Sequence, residues 1–521
     1  MYHSRNFLWS LILLGVAAIY PSKLFAQNNN EEFELFKQQI NNEFNKTQQS
    51  HKKEFNSFRD SVNALYSQQL QGLWDNALMD KKIEAPKKPE PKPVVDNTPV
   101  TTNRPLPYTP PVVAKEPKIE PKVEPKVEPK VEPKVEPKVE PKKEPVAPPT
   151  SLVPTTTQPE PDANTFTFGF YGAQCAVHVP ISKLRMYDVS KKQIGEAWDT
   201  LSSGEYDQLL VDCQNLKTKL NLCDWGVYQL INHFSAAYFG SAEQNEAVIF
   251  RMCVLSQLGY KIRLASQESR LITLVSFKQD IFSAPFVVIE GDKFYHLSPK
   301  PMRGSIQLCE FAFPNERSAS LQISKLPNLP YTPAGERLVK SEAYPNVATK
   351  VNANKNLIRF LDTYPSCSWD LYASASLSPT MKKQLYPTLK EKIGGATEKN
   401  AVSILLNFVQ TAFEYKTDGE QFGREKTFFG DEPFYYPFCD CEDRSILFAI
   451  LVRDLIGLEV VLLDYPSHIA TAVAFNEDVM GDHLNINGRK YVICDPTYIG
   501  ASIGKSMPEM QNLKANVLTI N

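Results

Sequence analysis

Apolar residues recur along this chain with more than one period. In residues 28–82, Phe33, Phe36, Ile40 and Phe44, then Phe55, Phe58, Val62, Leu65 and Leu73, fall at helical spacing in a Glu-, Gln- and Lys-rich background. The stretch has no proline and one glycine, Gly72. It predicts a long polar helix with a narrow apolar stripe, suited to self-association or to docking on a partner. From Thr165 to Tyr171 the period drops to two, as in a strand. Near the C-terminus the helical period returns: Ser445, Leu447, Phe448, Leu451 and Leu455 follow the polar run Cys439-Asp440-Cys441-Glu442-Asp443. Gly457 stops that helix, because glycine accepts positive φ at little cost. Cys441 is thereby placed at or just before the first turn, where unpaired N–H groups and the helix dipole favour a thiolate. His468 then opens the apolar run Ile469–Phe475, and Asp495 closes Tyr491-Val492-Ile493-Cys494.

Between the two periodic regions lies a different polymer. Residues 85–163 read as a linker in which Glu-Pro-Lys-Val or Glu-Pro-Lys-Ile repeats in tandem from Glu116 to Val139. Proline at every fourth position opposes helix and sheet ladders and favours polyproline II. At about 3.1 Å per residue, residues 116–143 would reach roughly 85 Å, the length of a spacer or stalk. At the start, Arg5 precedes the mostly apolar run Phe7–Tyr20, and Lys23-Leu24-Phe25-Ala26 precedes Gln27. Residues 1–26 are thus expected to be a secretory signal, since the apolar run Phe7–Tyr20 is shorter than the roughly twenty residues of a span. This predicts an exported chain of the periplasm, envelope or extracellular space, with no membrane span once the signal is removed.

The globular remainder reads as two copies of one helix-then-sheet unit. With Gly259 placed on Gly457, Val248-Ile249-Phe250 falls on Ile446-Leu447-Phe448, and Tyr260, Ile262 and Leu264 fall on Leu458, Val460 and Leu462. Tyr295–Pro299 lands almost in register on Val492–Pro496. The expected class is α+β, with units at 164–343 and 344–521. The first unit carries Glu243, Arg270 and Ser298 where the second has Cys441, His468 and Asp495, so its chemistry is expected to be lost. The second also has an added aromatic, glycine-punctuated loop, with Phe428-Phe429-Gly430 and Phe434-Tyr435-Tyr436-Pro437, expected to form a substrate wall beside Cys441.

Charge narrows the function classes. The 57 Lys and Arg nearly balance the 59 Asp and Glu, which gives no reason to expect nucleic acid or an anionic lipid surface as partner. The nine cysteines are an odd number, so at least one stays unpaired, and Cys441 is the candidate. A cysteine hydrolase or acyltransferase needs a thiolate, a base and a group that orients the base. Cys441, His468 and Asp495 supply these types in order, with His468 midway between the other two. Cys439 and His483 are rivals for the first two roles; Cys439 lies two residues early for the helix, and His483 lies in a polar hairpin ending at Asn487-Gly488. A zinc site at Cys439, Cys441 and His468 fits structural zinc spacing poorly. No metal or cofactor is expected. Asp440, Glu442 and Asp443 oppose thiolate formation by like charge.

Cys441-Glu442-Asp443 followed by Ile446, Leu447, Arg453 and Gly457 resembles the nucleophile helix of the transglutaminase-like superfamily. His468 at a strand start resembles that family's histidine, and Asp495-Pro496-Thr497 its Asp-Pro-Thr; the family often has an aromatic residue soon after the histidine, where this chain has Ile469 and Ala470. The resemblance covers roughly residues 395–500. It implies a papain-like fold, with Cys441 as nucleophile, His468 as general base and Asp495 as orienting acid. It also implies acyl transfer through a thioester, by hydrolysis of a protein or peptide substrate or by cross-linking. The Cys441 backbone N–H and Tyr436 are the expected oxyanion donors. The alternative is a non-catalytic binding or assembly protein of the envelope, with papain-like units on a helical and proline-rich stalk.

Overall fold

The computed structural model describes residues 42–43, 46, 57–79, 164–300, 304–466 and 468–520. The expected signal and linker lie outside them. The described residues from 67 onward form one compact unit, and residues 57–66 belong to a second.

Residues 57–71 are helical. The helix does not continue to 82 as its spacing suggests: it stops at Gly72, whose N–H donates to the Gln69 carbonyl at 3.0 Å. Strand β1 (Asp75–Leu78) follows. Leu70 and Trp74 are buried, whereas Phe58, Leu65 and Leu73 of the expected stripe are 52%, 51% and 96% exposed. β1 escapes sequence reading because it is four residues long and has no β-branched residue; it is held by its partner strand, not by propensity.

The first half continues with the hairpin β2 (Thr165–Phe170) and β3 (Ala173–His178), then α1 (Lys191–Ser202), α2 (Asp207–Lys219), α3 (Asp224–Phe239) and α4 (Asn245–Gln257). Strands β4 (Ile262–Gln267), β5 (Arg270–Ser276), β6 (Phe286–Ile289), β7 (Asp292–Tyr295) and β8 (Ser305–Cys309) complete an antiparallel sheet of order β1-β8-β4-β5-β7-β6. One sheet face buries Ala265, Ile272, Leu274, Val287, Phe294 and Leu308, with Ala77 of β1 packed against them. β1 pairs with β8 in the register Asp75↔Leu308 to Leu78↔Ser305. The described strands on either side of the expected linker, β1 before it and β2 after it, belong to the same compact unit.

Strands β9 (Pro333–Lys340) and β10 (Ala348–Asn354) pair with each other, so the expected boundary at 343 falls inside a hairpin. Helices α5 (Lys355–Leu361), α6 (Trp369–Ser374), α7 (Pro379–Ile393) and α8 (Glu398–Thr411) follow. Then come β11 (Glu414–Tyr415), α9 (Asp418–Phe422), β12 (Phe438–Cys439) and α10 (Cys441–Ile456). The last sheet, β15-β16-β14-β13-β17, contains β13 (Glu459–Tyr465), β14 (His468–Ala474), β15 (His483–Ile486), β16 (Arg489–Cys494) and β17 (Asn516–Thr519). Read from the other edge, its strands follow the chain in the same order as β8-β4-β5-β7-β6. Each sheet follows a helix ended by a left-handed glycine, Gly259 (φ 84°) or Gly457 (φ 81°). The class is α+β, mixed helices with antiparallel sheets. α4 begins at Asn245, so Glu243 lies just before that helix, whereas Cys441 is the first residue of α10.

One buried carboxyl ties the helices to the added loop. Asp431 accepts from the Ser378 backbone N–H at 2.8 Å and from its hydroxyl, and that hydroxyl also caps α7 by accepting from the Met381 N–H. Burial pushes the Asp431 carboxyl up to about 6, against the pull of Ser378. An acid raised in the folded state stabilises below its unfolded pKa, near 4, and that contribution is lost as pH rises through about 6. The loss is roughly 3 kcal/mol for a shift of about two units. Urea unfolding at pH 4.5 and pH 7, an interval that holds about 2 kcal/mol of that loss, should show Asp431→Asn losing correspondingly less stability than the parent; an identical loss would show that Asp431 does not titrate there.

Candidate active site

α10 sets the position of Cys441 through its cap. The Asp440 side chain accepts from the Asp443 N–H, while Asp443 Oδ2 accepts from the Asp440 N–H at 3.2 Å. Asp443 Oδ1 also accepts from the Phe428 N–H at 2.9 Å, joining the added loop to the helix start. Two of the three acidic neighbours of Cys441 are thus engaged in building the helix N-terminus. The third touches the thiol: Cys441 Sγ donates to Glu442 Oε2 at 3.4 Å.

β14 and β16 bring the other two residues together. Their register Thr471↔Cys494 sets the end of β16 beside the start of β14. His468 Nε2 and Asp495 Oδ2 lie 2.8 Å apart, with both residues buried. Asp495 Oδ1 accepts from the N–H groups of Thr497 and Tyr498 at 2.9 and 3.0 Å, which fixes the carboxylate plane. One turn after Cys441, Ser445 Oγ donates to the Ile469 carbonyl at 3.2 Å. That bond pins the first turns of α10 to the strand end that carries His468. Asp495 occupies Nε2, so Nδ1 is the ring nitrogen left for a proton-transfer partner.

Several positioning groups were not legible in sequence. Gln410 Nε2 donates to the carbonyls of Asp495 and Tyr498 at 2.9 Å and of Ala501 at 3.2 Å, clamping the loop after Asp495 onto α8. Arg444 is buried in the first turn of α10 and donates to the Gln410 and Phe413 carbonyls at 3.2 and 2.7 Å. Further along the loop, Gly504 lies against Gly481 so closely that a Cβ on either would come within 2.7 Å of the other's backbone. A charge on the apolar face of a helix was the available clue to Arg444; Gln410 and Ser445 gave none.

The rivals fare differently. Cys439 is buried on β12, and burial pushes its thiol up to about 11 despite the nearby Arg444. His483 is exposed on β15, its Nδ1 3.0 Å from the Gly481 carbonyl. The aromatic loop is mostly core: Phe428, Phe429 and Phe434 are buried, so they cannot be the expected substrate wall. Tyr436 is half-buried and stacked on Phe428, with ring centroids 4.9 Å apart. Burial, with Glu432 and Asp362 nearby, holds its hydroxyl in the protonated form. The loop is gathered on Lys426, whose Nζ bonds Glu432 Oε1 at 2.6 Å and lies 5.2 Å from the ring centroids of Phe428 and Tyr436.

Among the described residues, Asp418, Asp440 and Glu442 each place a carboxylate oxygen within 4.8 Å of the others, and all three are buried. They are the residues that a cation would find here. Asp418 accepts from the Lys426 N–H at 2.6 Å and Asp440 from its cap, so polypeptide N–H groups already serve two of them. Negative charge so close to a thiol disfavours its ionisation. Glu442→Gln is expected to raise the Cys441 alkylation rate near neutral pH by on the order of tenfold. An unchanged rate would show that Glu442 does not govern the thiol.

In the first half, Glu243, Arg270 and Ser298, the residues aligned in sequence with Cys441, His468 and Asp495, also converge, with different chemistry. Ser298 Oγ donates to Glu243 Oε2 at 2.7 Å, and Arg270 Nη2 lies 3.8 Å from the same oxygen. No thiol is among the three. Comparison with known proteins adds nothing to this geometry: no family model, curated protein or solved structure matches the chain.

Proposed function

We propose that this chain is an exported, transglutaminase-like cysteine enzyme that acts on protein or peptide substrates by acyl transfer through a Cys441 thioester. Hydrolysis is the favoured outcome, with cross-linking the variant in which an amine replaces water. The observation that carries the reading is the buried His468–Asp495 pair, tied through Ser445 and Ile469 to the helix that Cys441 begins. His468 Nδ1 takes the thiol proton and the sulfur attacks the carbonyl carbon. The oxyanion forms against the Cys441 N–H at the helix end, with Tyr436 as the candidate second donor. Collapse breaks the C–N bond, and the imidazolium gives its proton to the leaving amine. Water, deprotonated by His468, then cleaves the thioester. On this reading the two sheets are copies of one papain-like unit, and Glu243, Arg270 and Ser298 mark the copy that lost its chemistry.

The test is alkylation of the full chain by iodoacetamide across pH. Cys441→Ala should remove the fast labelling, and His468→Ala should slow it by on the order of a hundredfold. Labelling of the parent no faster than an ordinary thiol would remove the enzyme reading. The Cys441–Glu442 contact favours the second reading, a non-catalytic binding or assembly protein, and that protein would give the slow result.

A further inference from the structure

The strongest candidate outside the Cys441 site is a cavity of about 130 Å³ in the first half, at the place where its sheet and helix repeat the arrangement around Cys441. Its wall includes Tyr228, Glu243, Arg251, Arg270, His296 and Ser298. Glu243 is already engaged by Ser298 and faces Arg270. Arg251, on α4, is buried; its Nη1 donates to the Ala242 carbonyl at 2.5 Å and its Nε has no partner. One carboxylate therefore stands against two guanidinium groups. A buried donor left unmet costs about 1–3 kcal/mol, and a guanidinium meets a carboxylate through paired N–H bonds. His296 adds a second requirement. Its Nε2 lies 3.1 Å from the Lys300 carbonyl, so Nε2 carries the proton and donates. Burial, with both arginines near, keeps the ring neutral, and Nδ1 is a buried acceptor without a partner. The wall lacks one anion and one N–H donor.

We infer that this cavity binds the C-terminal residue of a peptide, whose carboxylate answers Arg251 and Arg270 and whose adjoining amide N–H answers His296. A chain end carries both groups on one residue; an acidic side chain carries its carboxylate further from the nearest amide. The assignment is independent of the chemistry at Cys441.

The probes are N-acetyl-Ala-Ala, its C-terminal amide, and N-acetyl-Glu-amide, titrated calorimetrically into the full chain carrying Cys441→Ala so that no turnover intrudes. The free acid is expected to bind at least tenfold more tightly than either amide. Arg270→Gln, at a partly exposed position, should weaken the free acid by at least tenfold while circular dichroism stays unchanged, and His296→Leu should weaken it similarly. Arg251→Lys, which keeps the charge and loses the planar fork, should also bind less. The partly exposed Arg270 variant keeps the question answerable where the Arg251 variant does not fold. Equal binding of acid and amide, N-acetyl-Glu-amide binding as tightly as the acid, no binding of the acid at millimolar concentration, or full binding by Arg270→Gln would each overturn the inference.

Discussion

Asp495→Asn should slow alkylation of Cys441 by on the order of a hundredfold or more while leaving the fold intact. The size of the effect follows from the turn after the residue. Oδ1 is pinned by two backbone donors, the N–H groups of Thr497 and Tyr498. An asparagine at this position keeps its oxygen there and must turn its NH2 group towards His468 Nε2. That nitrogen then has to accept, so the ring proton moves to Nδ1, the nitrogen needed to take the proton of the thiol. The substitution reverses the tautomer without removing a side chain. Rates of iodoacetamide labelling against pH measure it directly; a variant within twofold of the parent would show that Asp495 does not orient the base. Thermal unfolding of the same variant separates this from collapse of the β14–β16 end.

The second large effect is on stability. Lys426→Met should destabilise the protein by about 3–5 kcal/mol, the usual consequence of leaving one member of a buried ion pair alone. Lys426 and Glu432 are both buried, with side chains 5% and 0% exposed. Burial raises the Glu432 carboxyl even with the ammonium beside it, and without Lys426 the charge has no compensation within the loop. The double variant Lys426→Met with Glu432→Gln should recover much of the loss, since the amide keeps an acceptor for the Phe429 N–H, held at 2.8 Å. Urea midpoints of the two variants and the parent give the comparison. A single variant within 1 kcal/mol of the parent would mean that solvent reaches the pair.

What could be read from the sequence tracks what is local. The helix that Cys441 begins, its glycine stop, the His468 strand and the Asn487-Gly488 turn were all legible, because each depends on neighbours in the chain. Gly488 has φ 81° and Asn487 φ 50°, as the turn between β15 and β16 needs. The similar strand order of the two sheets was foreshadowed by the alignment of Gly259 on Gly457. Long-range partners were not legible. Nothing near Asn76 announces pairing with Gln307, and nothing near Gln410 announces three carbonyls at the far end of the chain. The aromatic loop was misjudged for a related reason. Phenylalanines punctuated by glycine look the same whether they face a substrate or surround a buried ammonium, and only the position of Lys426 decides between them.

The return of the chain to one body across the Glu-Pro-Lys-Val tract also bears on how that tract can change between generations. With β1 ahead of the repeats and β2 behind them, copy number changes the length of chain between two strands of one unit, and for a flexible loop each doubling of length costs only about 0.6 kcal/mol. An added or lost unit changes no residue of β1 or β8, whose pairing runs from Asp75↔Leu308 to Leu78↔Ser305. A frameshift or stop within the repeats is different: it would leave β1 without the sheet it completes. The tract is elastic in its number of units and strict in its reading frame.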